Sequence, residues 1–135
     1  MPQEVVSPDK SPTAAPVGNL VGMQLGQVWF VMDYVELVFD EAKLSCYVWP
    51  IVELGQSTFR FGDRDYRNAL CSLITKTVCD VGVVIAEQHS KYPTEQAILI
   101  DFGTREVIRV SLLDDSSKQM DAAAYNDTDT SWLVW

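Results

Sequence analysis

Leu25-Gly26-Gln27-Val28-Trp29-Phe30-Val31-Met32-Asp33-Tyr34-Val35-Glu36-Leu37-Val38-Phe39 decides the fold class. β-Branched and aromatic residues crowd the stretch, and apolar side chains recur at every second position of its second half, the period of a strand with one face turned inward. Asp33 marks a turn between two strands, Leu25 to Met32 and Tyr34 to Phe39. Asp40-Glu41 turns the chain again, and Leu44 to Trp49 supplies a third strand that Pro50 ends. A three-stranded antiparallel meander is therefore expected.

Downstream, Ile51 to Phe61 reads as a connecting piece with room for a short strand, and then the period changes. Tyr66, Ala69, Leu70, Leu73 and Ile74 follow helical spacing behind Asp63, a good N-cap, which predicts one amphipathic helix over about 63–75. Strand character returns with Val78, Val81, Val83 and Ile85, a polar loop from Gln88 to Glu95 carries Pro93, and Ala97–Phe102 and Val107–Leu112 follow around a Gly103-Thr104 turn.

The two meanders resemble each other. Leu20, Leu25 and Val28 align with Leu73, Val78 and Val81 at an offset of 53, and Val35, Leu37 and Phe39 align with Ile98, Ile100 and Phe102 at an offset of 63. The expected architecture is α+β and mostly β: two antiparallel β-meander repeats, about 20–49 and 73–112, forming one curved sheet or half-barrel with a single amphipathic helix between them.

The flanks read differently. Four of the six prolines fall in residues 1–19, which predicts a Pro-rich flexible leader before a single domain at 20–113. Residues 114–130 read as an acidic linker, and Ser131-Trp132-Leu133-Val134-Trp135 as an apolar anchor in which Trp132 and Trp135 dock the tail.

Nineteen Asp and Glu against ten Lys and Arg give a net charge of −9 in 135 residues. Binding to phosphates requires cations to neutralise them, so nucleic acid and anionic membrane surfaces are disfavoured as partners. A basic protein partner would be attracted instead. The uncharged run from Ser11 to Met32 is interrupted by Pro, Gly, Asn and Gln and does not read as a membrane span. No secretory signal is visible, and Cys46, Cys71 and Cys79 fit small buried residues of a reduced, cytoplasmic protein better than a disulfide framework.

Little in the chain points to catalysis. His89 is the only histidine and sits in the polar loop, which rules out a multi-histidine metal site; no cofactor motif occurs. Carboxylates at Asp33, Glu36, Asp63, Asp65, Asp80 and Asp101 show no spacing that selects an acid–base pair. Two binding sets stand out. Trp29, Tyr34, Tyr47 and Trp49 offer large, rigid contact area, and Arg60, Arg64 and Arg67 around the helix start could take a small anion. Strands apolar on both faces need more cover than one helix gives, which points to a homodimer.

The pattern Leu20-Val21-Gly22, Val28-x-Phe30-Val31-x-Asp33-Tyr34-Val35-x-Leu37-x-Phe39, Trp49-Pro50 and Tyr66-Arg67-x-Ala69-Leu70 resembles that of small bacterial proteins of unknown function. The short acidic build is similar to that of some immunity proteins of polymorphic toxin systems. The resemblance covers roughly residues 20–112, rests on structural rather than catalytic motifs, and implies a non-enzymatic binding protein that neutralises a basic toxin. The alternative expectation is a structural homodimer binding a small anionic ligand near the helix N-terminus.

Overall fold

The inward period of Val35, Leu37 and Phe39 organises a structure of two antiparallel sheets. The computed structural model describes residues 3–86, 94–113 and 121–135. Its strands are β1 (Gln3–Val6), β2 (Leu25–Val31), β3 (Tyr34–Phe39), β4 (Ala42–Cys46), β5 (Ile51–Leu54), β6 (Ser57–Phe59), β7 (Asp80–Ala86), β8 (Thr94–Asp101), β9 (Glu106–Ser111), β10 (Ala123–Asp127) and β11 (Leu133–Val134). The helix α1 (Tyr66–Cys71) lies between β6 and β7 in the chain, and two 3₁₀ segments, Pro8–Lys10 and Ala15–Leu20, precede β2.

Both expected meanders form, β2-β3-β4 and β7-β8-β9, but they fall in different sheets. One sheet has the order β11-β10-β4-β3-β2 and the other β1-β7-β8-β9-β5-β6. A single curved sheet or half-barrel is therefore not what the chain builds, and the sheets are not closed into a barrel. The chain leaves the first sheet earlier than expected: β4 ends at Cys46, short of Trp49 and Pro50, and β5 begins at Ile51 as a strand of the second sheet, pairing with β9.

The inner faces of both sheets feed one apolar cluster. Val35, Leu37, Leu44 and Cys46 from the first and Val52, Val83, Ile98, Ile100, Ile108 and Val110 from the second are fully buried in it. At the usual yield of roughly 25 cal/mol per Å² of apolar surface, this shared core is the main term stabilising the fold.

Both flanks depart from expectation. The segment read as a flexible leader pairs through β1 with β7, and Ala14, Val17 and Leu20 are fully buried. Ser11 and Thr13 hydroxyls donate to the Glu95 carboxylate on β8, while Asn19 Nδ2 donates to Asp127 Oδ2 on β10 at 3.0 Å. The segment thus ties one sheet to the other. Its prolines set the short 3₁₀ turns that put Val17 and Leu20 into the core.

Of the stretch read as an acidic linker, 114–120 lies outside the described residues. The rest contains β10, an interior strand between β4 and β11 whose Tyr125 is fully buried. The last residues dock within the same chain. Leu133 and Val134 pair with β10, and Trp135 exchanges backbone hydrogen bonds with Ala122 (2.8 Å) and Ala123 (2.9 Å).

The helix is shorter than its apolar period. Tyr66, Ala69, Leu70 and Leu73 do face the core, but beyond Cys71 the backbone tightens into three-residue turns, with Leu73 N–H on Leu70 O at 3.1 Å and Ile74 N–H on Cys71 O at 3.1 Å. Thr75 then takes φ 80°, which stops a right-handed helix. Asp63 accepts from the Arg60 N–H at 2.7 Å, closing the preceding turn, and the N-cap position falls to Asp65.

Candidate binding face on the five-stranded sheet

Because side chains alternate along a strand, burial of Val35, Leu37 and Phe39 sends Tyr34, Glu36 and Val38 to the other face. Cross-strand partners share a face, so the register extends this outer surface row by row. Val134, Ala124, Ser45, Glu36 and Trp29 form one row across all five strands. Val31 and Tyr34 lie on one side of it, and Asn126, Lys43, Val38 and Gln27 on the other. A bulge at Gly26, between Leu25 and Gln27, lets Leu25 point inward while Gln27 and Trp29 point out.

Exposed apolar side chains stand among polar ones on this surface. Trp29 is 51% exposed, Val31 38%, Tyr47 37% and Val134 48%, and Met32 in the turn beside them is 88% exposed. Ser45 and Ala124, in the middle of the row, are small and buried. Tyr34 and Tyr47 pack at a ring separation of 5.2 Å, tilted 53°. The Trp29 indole N–H donates to the Gln27 side-chain carbonyl, which fixes the ring's orientation.

Acidic groups lie around it. Asp33 sits in the exposed β2–β3 turn and Asp40-Glu41 in the exposed β3–β4 turn. At the latter end a cleft of about 340 Å³ runs in from the face, lined by Val38, Asp40, Glu41, Lys43, Asn126 and Asp127 among others. Lys43 is the one cation of that lining. Burial alone would raise the Asp127 carboxyl; hydrogen bonds from the Tyr125 hydroxyl, the Asn19 amide and the backbone N–H groups of Asp129 and Thr130 outweigh it and bring the pKa down to about 2. It is therefore a fixed negative charge at neutral pH.

The aromatic set expected from the sequence divides. Trp29, Tyr34 and Tyr47 belong to this face, while Trp49 stacks on Phe61 at 4.2 Å and 14° and meets Tyr66 edge-on at 6.4 Å. Trp49 packs against the core there, and Tyr66 donates its hydroxyl proton to the Pro50 carbonyl. Burial pushes the Tyr66 hydroxyl and the Cys46 thiol up, so both stay neutral. Cys71, the last residue of α1, and Cys79, just before β7, are exposed, contrary to the buried reading.

The arginines also separate. Arg67 lies over the Phe30 ring, 5.4 Å from its centroid, a cation–π contact, while Arg60 and Arg64 are exposed. With six residues, α1 has too little aligned dipole to add much at its N-terminus. Trp132 is 55% exposed, whereas Trp135 packs against the core and its indole N–H donates to Thr13 Oγ1 at 3.1 Å. His89 lies outside the described residues. Among those described, no group of three or more His, Cys, Asp or Glu could hold a metal ion, and no helix is long and apolar enough to cross a membrane.

Sequence reasoning missed Val31, Val134 and the cleft carboxylates as parts of one surface. The strand period shows which residues share a face within one hairpin, but not that β10, some 80 residues after β4, completes the sheet. Comparison of the chain with protein-family models, curated proteins and solved structures returns no match.

Proposed function

We propose that the chain is a non-enzymatic binding protein whose outer five-stranded face receives a basic protein partner. The observation that carries this reading is a group of exposed apolar side chains, Trp29, Val31 and Met32, at the edge strand β2 and its turn, with Asp33 beside them and Asp40 and Glu41 at the other end of β3. Clustered exposed apolar side chains mark a candidate interaction site, aromatic anchors supply contact energy, and acidic surroundings in a chain of net charge −9 steer a cationic protein inward. In its immunity-type form the partner is a basic toxin and the complex forms in the cytoplasm. A second copy of this chain is the rival occupant, and it brings the same acidic rim against itself, which opposes association.

The test has two parts. Sedimentation of the full chain at low salt should show a monomer; a dimer abolished by Val31→Asp would overturn the reading in favour of the second copy. Proteins retained from native-cell extract by wild type but not by Trp29→Ala are then identified and remade from purified components. A basic protein whose affinity falls as salt rises supports the reading, and retention unaffected by Trp29→Ala overturns it.

We also propose that the two meanders are copies of one unit, related by a local two-fold axis. Gln24 aligns with Thr77 at the offset of 53 found in the sequence, and these two residues form an antiparallel bridge with each other. The hydrogen bonds beside it are mutual: Leu25 N–H on Lys76 O at 3.0 Å, and Val78 N–H on Met23 O at 2.8 Å. Each is the other's image under the exchange of the two segments.

A further inference from the structure

Within the outer face, the row through β2, β3 and β4 places a carboxylate among aromatic rings. Glu36 is the cross-strand partner of Trp29 on one side and of Ser45 on the other. Directly opposed residues hold their Cβ atoms about 5 Å apart, so the indole stands beside the carboxylate. Tyr34 lies two residues before Glu36 on the same face, and Tyr47 packs against Tyr34. Ser45, the small partner of Glu36 on β4, is itself buried, whereas Trp29 and Tyr47 are exposed.

Glu36 is half-buried and forms no ion pair within 4.0 Å among the described residues, where the one salt bridge joins Lys76 to Glu106. Lys43 is diagonal to it on the same face and exposed. A half-buried carboxylate with rings on one side suits a cation whose charge sits in a plane or behind an apolar stem. The carboxylate takes charge-assisted hydrogen bonds, and the ring faces take the cation's flat side.

We propose that Glu36, Trp29, Tyr34 and Tyr47 form a recognition subsite for a single cationic side chain, with a guanidinium group fitting best. A guanidinium can present two N–H groups to Glu36 while lying flat against Trp29, which an ammonium cannot do. This deepens the binding-face reading and rests on it, since it names the chemistry of the partner residue that enters the face. The Gln27 side chain, by accepting from the indole N–H, holds Trp29 in place and acts as a positioning residue.

The test uses the full chain labelled with ¹⁵N at tryptophan, titrated with L-argininamide and observed through the indole N–H resonances. The Trp29 signal is identified by its absence in Trp29→Phe. A saturable shift of that signal is expected, weakened about tenfold or more in Glu36→Gln and tightened in Lys43→Ala, with lysinamide weaker and the neutral citrullinamide without effect. No saturable shift, or one that Glu36→Gln leaves unchanged, overturns the proposal. Should Glu36→Gln fail to fold, Tyr34→Leu provides the same comparison from the aromatic side. A chain that captures its basic partner through Trp29 yet ignores argininamide refutes the subsite alone. One that binds argininamide but captures no partner through the face refutes the wider reading alone.

Discussion

Tyr125 offers the sharpest test of the two-sheet architecture, because the surrounding sequence is acidic, Ala-rich and free of any obvious strand period. Its side chain is fully buried on β10, and its hydroxyl donates to Asp127 Oδ2. A large aromatic buries roughly 150–250 Å² of surface, which at about 25 cal/mol per Å² is worth about 4–6 kcal/mol. Truncation to alanine should therefore cost about 3–5 kcal/mol, a large fraction of the stability of a domain this size. Tyr125→Phe keeps the ring and loses only the hydrogen bond to a charged acceptor, a cost of about 1.5 kcal/mol.

The two variants separate packing from polar chemistry, and pH separates them again. The Asp127 pKa falls from 3.8 to about 2 on folding, so the carboxylate contributes stability that is fully present above about pH 4 and lost as pH falls through about 2. A displacement of nearly two units corresponds to about 2 kcal/mol, which solvent screening at this partly exposed group reduces to about 1 kcal/mol. Urea unfolding of wild type, Tyr125→Phe and Tyr125→Ala at pH 7 and pH 2 measures all of these quantities. The Phe variant should approach wild type at low pH while the Ala variant stays well below it. An alanine cost under about 0.5 kcal/mol at pH 7 would show that β10 is not part of the core and would refute the five-stranded sheet.

Glu95→Ala removes the acceptor shared by the Ser11 and Thr13 hydroxyls and the Thr13 N–H; hydrogen exchange of residues 3–20 should accelerate while amides of β3 and β4 keep their protection. Uniform acceleration across both groups would mean that the N-terminal segment is not a separable clasp. Thr75 holds φ 80°, an uncommon conformation for a β-branched residue, so Thr75→Gly should raise the stability by up to about 1 kcal/mol in denaturant unfolding. A loss of stability there would show that the threonine side chain holds the bridge between Gln24 and Thr77.

The hairpins were legible because their period of two is strong and their turns carry Asp, Gly and Asn-like chemistry at the expected places. Val35, Leu37 and Phe39, and likewise Ile98, Ile100 and Phe102, fall inward as their alternation requires. What the period cannot convey is which sheet a strand joins. The pairing of β5 with β9 spans more than 50 residues, and no local residue encodes it. The flanks were illegible for a compositional reason. Ala14 and Val17 bury themselves from a Pro-rich 3₁₀ segment with no period to detect, and Ala123 and Ala124 form a strand although alanine is a poor strand former. Of the candidate site, the sequence offered Trp29, Tyr34, Tyr47 and Trp49 as one aromatic set without assigning them a face; the placing of the first three with Glu36, and of Trp49 elsewhere, follows only from the register and the packing.

The small residues that hid β10 from the sequence are also what its packing requires. A bulky strand former at position 124, beside Ser45, would crowd a position that is already only 4% exposed. Alanine there gives up intrinsic strand preference and, with Ser45 beside it, fills a buried position of the row with a small side chain. Tyr125, next along the strand, supplies the buried area that Ala124 does not, and its hydroxyl holds the charge of Asp127 in the adjoining cleft. An Ala124→Val substitution accordingly tests how tightly that position is packed: Ala124 is 4% exposed, so the added methyl groups should cost about 1–3 kcal/mol in urea unfolding, while Glu36, two strands away, keeps its surroundings.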